Sequence, residues 1–324
     1  MDVQSTAATA PCSIDSAAFL HDLLDGLARR PRAISPKYFY DAAGSALFDR
    51  ICDLPEYYPM RTEAGILRRH GADIMSRVGA DIDLIEFGAG SLVKVRLLLG
   101  ACRRHMLPGH YVPIDICGDH LRASAARLSA EFPTLDVCPV EADYTALDAL
   151  LLPGGEGARK VGFFPGSTIG NMDLDEALAF LHHTAGLLSG GGLLIGVDLV
   201  KDPARLHAAY NDAQGITAQF NLNVLARANR ELGADFDLEG FAHYALYQPV
   251  IRRVEMHLVS LMPQRVMIAG TPYDFDEGDT LHTENSYKYT VPGFQALARR
   301  AGYRPEAVWL DEERLFSVHW LLAP

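Results

Sequence analysis

"DLIEFGAG", Asp83–Gly90, is a short apolar run that stops on glycines. Working outward, "VKVRLLLGACRRH" (93–105) reads as a helix, "HYVPIDI" (110–116) as a strand and "DHLRASAARLSAEFP" (119–133) as another helix. "LDVCPVEADY" (135–144), "KVGFFPG" (160–166) and "GGLLIGVDLV" (191–200) continue the strand series. Strands alternating with helices over roughly 110 residues predict an α/β, doubly wound parallel sheet with helices on both faces. Residues 15–79 read mainly as helices, with apolar positions at helical spacing in "AAFLHDLLDGLA" (17–28) and "EAGILRRHGADIMSRV" (63–78). After Lys201 a long helical segment (202–232) leaves the rhythm, and the alternating runs "RRVEMHLVS" (252–260), "RVMIAG" (265–270) and "LFSVHWLL" (315–322) predict antiparallel strands. The sheet therefore carries added material at both ends, packed over its ligand-binding edge.

The chain has 324 residues, 49% hydrophobic and 22% charged, the composition of a soluble globular protein able to bury a sizeable core. A formal net charge of −12 leaves no broad basic surface to neutralise phosphates, so nucleic acid is not an expected partner. The 5 cysteines are dispersed and form no CxxC pair, which suits reduced thiols in the cytoplasm rather than a disulfide framework or zinc site. "MDVQSTAATAPCS" lacks the charged and apolar regions of a signal peptide, and no run approaches the roughly 18 apolar residues of a membrane span. His182 and His183 are adjacent, hence on different faces of a helix, and no metal-binding constellation is expected. A cytoplasmic monomer acting on a small molecule, with no membrane partner, is the expectation.

In open parallel sheets ligands bind beyond the carboxyl ends of the strands, where the strand order reverses. The first strand ends in Gly88-Ala89-Gly90, where backbone can approach a ligand. A dinucleotide fingerprint would need a third glycine where Val93 stands, which disfavours a nicotinamide site. The second strand ends at Asp115, 27 positions beyond Gly88, where an acid can accept from ribose hydroxyls. The third ends in Asp143-Tyr144, an acid for an adenine amino group and a ring to lie against the base. Each feature alone has a plainer reading as a helix cap. Together and in order they give the layout of an S-adenosylmethionine site.

"FFPGSTIGNM" (163–172) closes the fourth strand with small, backbone-exposing residues. Gly166 can present its backbone to a polar substrate, and Asn171 offers both a donor and an acceptor. The plainer reading is a helix-capping loop with Asn171 or Asp173 as the cap.

"LPEYYPMRTE" (54–63) and "GSTIGN" (166–171), with "EFGAG", "GVDLVKD", "VEMHL" and "HTENSYKY", mark a specific likeness. Over nearly its whole length the chain resembles the histidine-specific, S-adenosylmethionine-dependent Nα-methyltransferases of ergothioneine biosynthesis. That resemblance implies three methyl transfers to the α-amino group of L-histidine, giving hercynine, with S-adenosylhomocysteine as the other product. It implies a Rossmann-like core over 60–200 completed by 291–324, and a substrate-binding domain from 15–59 and 201–290. Tyr57 and Asn171 would hold the substrate carboxylate; Gly166, Thr168 and Asn171 would line the amine's position. Glu284 and Ser286 would hydrogen-bond the two imidazole nitrogens, Met256 would pack on the ring, and Tyr210 and Phe48 would complete the pocket. The cofactor matches are Tyr40, Gly88, Lys94, Asp115, Asp143 and Tyr144, with Tyr40 and Asn171 nearest the reacting amine. The chain departs from the family's best-known actinobacterial members at Tyr144, where they carry phenylalanine, and at Asn285. Without the likeness, Tyr57 reads as aromatic core, Met256 as packing and Glu284 as a solvated strand residue. The nearest alternative is the same chemistry on tryptophan or tyrosine. Glu284 discriminates, because a carboxylate suits imidazole better than a phenol or an indole face.

Overall fold

A computed structural model describes residues 16–102, 106–146 and 159–324. The strand Ile82–Phe87 is buried along its whole length, as its apolar run requires. His110–Asp115 pairs with it in parallel on one side and Arg159–Phe164 on the other. The order therefore reverses at this strand, and its carboxyl end opens the crevice in which such sheets bind ligands. Gly192–Asp198 adds in parallel beyond Arg159–Phe164. Phe316–Leu322 then pairs antiparallel with Gly192–Asp198, and Arg304–Leu310 pairs antiparallel with it at the edge. The α/β, doubly wound reading holds, and the last predicted strand belongs to this main sheet.

One expected strand is much reduced. Residues 135–144 contribute only the bridges Asp136–Val137 and Val140–Glu141 beside His110–Asp115. Pro139 lies between them and has no N–H to give to a ladder.

Helices cover both faces. Tyr58–Val78 and Val93–Ala101 bury Leu67, Ile74, Leu98 and Leu99 on one face, together with Trp320. Leu174–Leu187 and Val291–Arg300 bury Phe180, Leu181 and Phe294 on the other. A third core joins N-terminal residues such as Phe19 and Phe39 to Phe220, Met256 and Leu281. It lies between helices and a four-stranded sheet in the order Arg32–Ala33, Thr280–Tyr287, Arg253–Ser260 and Phe241–Gln248. The predicted 202–232 helix is broken into Pro203–Tyr210 and Ile216–Leu232. Between them the Asp212 carboxylate accepts from the N–H groups of Ile216 and Thr217, restarting the helix.

The four-stranded sheet meets the main sheet at a backbone joint. Tyr289, just past the strand Thr280–Tyr287, donates its N–H to the Asp198 carbonyl, and its own carbonyl accepts from Val200. A second close approach reinforces it. A methyl group on Gly170 would lie 2.8 Å from the Tyr287 carbonyl oxygen, so the turn after the fourth strand packs backbone to backbone on that strand. Among the described residues no helix is long and apolar enough to cross a membrane.

Candidate active site

A cavity of about 1050 Å³ runs from the carboxyl ends of the parallel strands to the inner face of the smaller sheet. Every residue singled out from the sequence lies on its wall: Tyr40, Phe48, Tyr57, Gly88, Lys94, Asp115, Asp143, Tyr144, Gly166, Thr168, Asn171, Tyr210, Met256, Glu284 and Ser286. Its size accommodates a nucleoside and an amino acid together.

At the strand-tip end, Gly88 and Gly90 both have positive φ. A side chain on Gly88 would press within 3.3 Å of the Tyr144 ring, so the glycine keeps open a cradle between turn and ring. The two Asp115 oxygens accept from the N–H groups of Gly90 and Cys117, each at 2.9 Å. They fix the glycine turn and the start of the next helix while retaining lone pairs toward the cavity. Asp143 accepts from Thr145 N–H and holds its own turn in the same way. Lys94 lies 2.6 Å from a Glu63 oxygen that also accepts from Gly166 N–H at 2.9 Å. One buried carboxylate thus ties the lysine to the turn of the fourth strand. An acid, positive-φ glycines, an aromatic ring and a lysine in this arrangement fit a nucleoside carrying an amino-acid tail.

The opening of helix Leu174–Leu187 decides how Asn171 is employed. Asp173 is its cap: its side chain accepts from the N–H groups of Asp175 and Glu176, and Glu176 reaches back to the Asp173 N–H. Asn171 lies in the preceding turn Thr168–Asn171, takes no part in the cap, and faces the cavity. The capping reading of this loop holds for Asp173 and leaves Asn171 over.

At the far end, Tyr40, Phe48, Tyr57 and Tyr210 form a run of edge-on rings with centroids 5.7–6.3 Å apart. Burial raises the pKa of the Tyr40 and Tyr57 phenols, so both stay neutral hydrogen-bonding groups. Glu284 and Met256 are cross-strand partners. Glu284 and Ser286 are both buried, and both reach the cavity, as the two-residue period of a strand predicts. No described residue gives the Glu284 carboxyl a hydrogen bond, and burial pushes its pKa up to about 7 against the pull of Lys288.

The model of the family described as "Histidine-specific methyltransferase, SAM-dependent" matches residues 19–323. The chain belongs to this family. Histidine N-alpha-methyltransferase of Mycolicibacterium smegmatis is 42% identical over 309 residues, covering 94% of this chain and 95% of that protein. The Mycobacterium tuberculosis protein of the same name is 41% identical over 304 residues, 93% and 94% of the two chains. Among solved structures, a possible exported protein from Bordetella parapertussis covers 99% of this chain and all of its own at 13% identity and a TM-score of 0.51, a likeness of fold alone. As a member of the family, the chain is an S-adenosylmethionine-dependent methyltransferase specific for histidine.

Several residues of this methyltransferase's cavity escaped the sequence reading. Lys288 is buried, 2.9 Å from Asp198, and it contacts Ser286 and Tyr210. Asp198 also accepts from the Tyr58 hydroxyl at 2.7 Å and pairs with Lys201. Burial opposes the Asp198 charge, but the Lys288 and Lys201 ammonium groups hold its pKa below the usual carboxylate range. The signal for Lys288 was present: 284, 286 and 288 continue one strand period. Glu63 and Asp198 had no comparable signal, since each acquires its partner from a distant part of the chain.

Proposed function

We propose that this histidine methyltransferase works at the α-nitrogen and does so three times, converting L-histidine to hercynine, the first step toward ergothioneine. S-adenosylmethionine supplies an electrophilic methyl group when bound. The chain's own residues orient the nucleophile. Tyr57 and Asn171 hold the carboxylate, while Asn171, Gly166 and Thr168 line the amine. Tyr40, a neutral phenol, orders the amine or a water beside it without competing as a charged group. Glu284 accepts from one imidazole N–H, Ser286 serves the other nitrogen, and Met256 packs on the ring, with Phe48 and Tyr210 closing the pocket. Gly88, Lys94, Asp115, Asp143 and Tyr144 hold the cofactor, joined by Tyr40. Because the nucleophile is a neutral amine, alignment supplies much of the rate and the transfer itself needs no strong base.

In this reading residues 60–200 with 291–324 form the cofactor-binding core, and 15–59 with 201–290 form the substrate-binding domain. The observation that carries it is that the Asn171 turn, Glu284 and Ser286 line one cavity together with the glycines and acids of the strand tips. The test is mass spectrometry of the products after incubation with S-adenosylmethionine and a panel of free amino acids. The reading expects a gain of three methyl groups on histidine; preferential methylation of tryptophan or tyrosine would replace it.

A further inference from the structure

Lys288, Tyr210 and Ser286 form a closed triangle at the cavity wall. Lys288 Nζ donates to Tyr210 Oη at 2.9 Å and to Ser286 Oγ at 2.6 Å, and Tyr210 Oη donates to Ser286 Oγ at 2.7 Å. The third ammonium hydrogen goes to Asp198 Oδ2, 2.9 Å away. Lys288 thus spends all three donors inside the protein, and an ammonium has nothing to accept with. A phenol is a stronger donor than an aliphatic hydroxyl, so the bond between the two hydroxyls runs from Tyr210 to Ser286. Ser286 Oγ then accepts twice, from Lys288 and from Tyr210. Both its lone pairs are occupied, and its own hydrogen is the one polar function it has left.

Beside it on the wall, Glu284 has the opposite character. As a carboxylate it is acceptor-only, and no described residue donates to it. We propose that Lys288 and Tyr210 lock Ser286 as a hydrogen-bond donor, so that the site takes its ring substrate as one neutral tautomer, with the bare nitrogen at Ser286 and the N–H at Glu284. Lys288 is a positioning residue here: it acts through the Ser286 hydroxyl. The proposal rests on the assignment of Glu284 and Ser286 to the imidazole ring. A ring with N–H groups on both nitrogens would meet a donor at Ser286 with a donor of its own. A phenol has no ring nitrogen, and the indole nitrogen is donor-only because its lone pair belongs to the π system, so neither offers a bare ring nitrogen to the Ser286 hydrogen. Specificity therefore lies in the direction of a hydrogen bond as well as in the Glu284 charge.

The joint between the sheets makes the triangle possible. The Tyr289 N–H bond to the Asp198 carbonyl draws the chain beyond Tyr287 onto the main sheet. Lys288 is thereby delivered to a carboxylate that strand Gly192–Asp198 presents from the other side. Asp198 anchors the ammonium, and the hydroxyls read its direction.

Two measurements test the lock on the full-length enzyme with S-adenosylhomocysteine bound. In ¹⁵N spectra of ring-labelled histidine, the wild-type complex is expected to show one protonated and one bare ring nitrogen. Tyr210→Phe and Lys288→Met are expected to show exchange-averaged tautomers or a ring protonated at both nitrogens. A doubly protonated ring in the wild-type complex overturns the proposal. In calorimetry, Lys288→Met and Ser286→Ala should each weaken histidine about tenfold, the scale of one hydrogen bond, and the double variant should lose little beyond Ser286→Ala. Fully additive losses would show that Lys288 acts independently of Ser286 and would sink the lock. Should Lys288→Met fail to fold, Tyr210→Phe replaces it in the same cycle, since that change leaves both charges of the Lys288–Asp198 pair in place. If Ser286→Ala alone leaves histidine binding unchanged, it is the imidazole assignment that fails, and the two failures are distinguishable.

Discussion

Replacing Glu284 by glutamine removes one charge and almost no volume, and it should move stability and binding in opposite directions. In the free enzyme this carboxyl is 9% exposed, and burial has carried its pKa from 4.5 to about 7. At about 1.36 kcal/mol per decade of proton affinity, that difference is worth roughly 3 kcal/mol between the charged and neutral forms. The folded value is raised, so the folded chain holds this proton more tightly than the unfolded chain does. The penalty is absent below the unfolded value of about 4.5, grows as pH rises, and is complete above about 7. Lys288 is the charged group that offsets it; the nearby phenols of Tyr40, Tyr57 and Tyr210 stay neutral. Glu284→Gln should therefore raise the melting temperature at pH 8 by roughly 4–5 °C and at pH 5 by about 1 °C. The bond to histidine loses its charge assistance in the variant, since the amide oxygen still accepts, which costs roughly 1–1.5 kcal/mol or about a tenfold weaker affinity. Thermal melts at both pH values and calorimetric titration of histidine onto the S-adenosylhomocysteine complex read the two effects. An unchanged melting temperature at pH 8 would refute the buried, unpaired carboxylate, and an unchanged affinity would remove Glu284 from the ring.

Three further outcomes follow from the same geometry. Asn171→Ala should leave the melting temperature nearly unchanged, because Asp173 caps the helix, while turnover falls roughly 100-fold or more at unchanged S-adenosylhomocysteine affinity; steady-state kinetics with calorimetry decides it. Asp115→Ala should weaken S-adenosylmethionine by roughly 1.5–3 kcal/mol and also lower the melting temperature, since it removes the carboxylate that accepts from the N–H groups of Gly90 and Cys117; a change in affinity without loss of stability would contradict its part in holding the turn. Gly170→Ala should push the turn off the Tyr287 carbonyl at a cost of roughly 1–3 kcal/mol and raise the KM for histidine more than that for S-adenosylmethionine; equal effects on both would mean that the contact does not set the substrate side.

The parallel sheet was legible because each of its strands is locally extreme. "DLIEFGAG" and "GGLLIGVDLV" are short apolar runs bounded by turn residues, and burial on both faces is what such runs require. The 135–144 segment misled because its apolar alternation is real but its proline prevents a continuous ladder. The break at 211–215 was hidden by helical periodicity on both sides. It depends on one carboxylate capping two N–H groups, a signal of a single residue. The joint at Tyr289 had no local signature, because it is a pairing between Leu199 and Tyr289, 90 residues apart in the chain.

The site divides along the same line. Position at a strand tip singled out Asp115, whereas Glu284 and Ser286 were assigned by the family likeness, strand period showing only that the two share a face. Lys288 continues that period, but the contacts that give it its role have no local signature. Lys288 stands one residue beyond the strand Thr280–Tyr287, where a lysine is ordinarily solvated. Burial opposes its charge, yet Asp198 holds its pKa above the usual lysine range. Its role is thus created by a partner from another strand, and from Asp198 the constraint passes through Lys288 to the Ser286 hydroxyl. Sequence period assigns which side chains share a face; the direction in which each one donates is decided by the fold behind it.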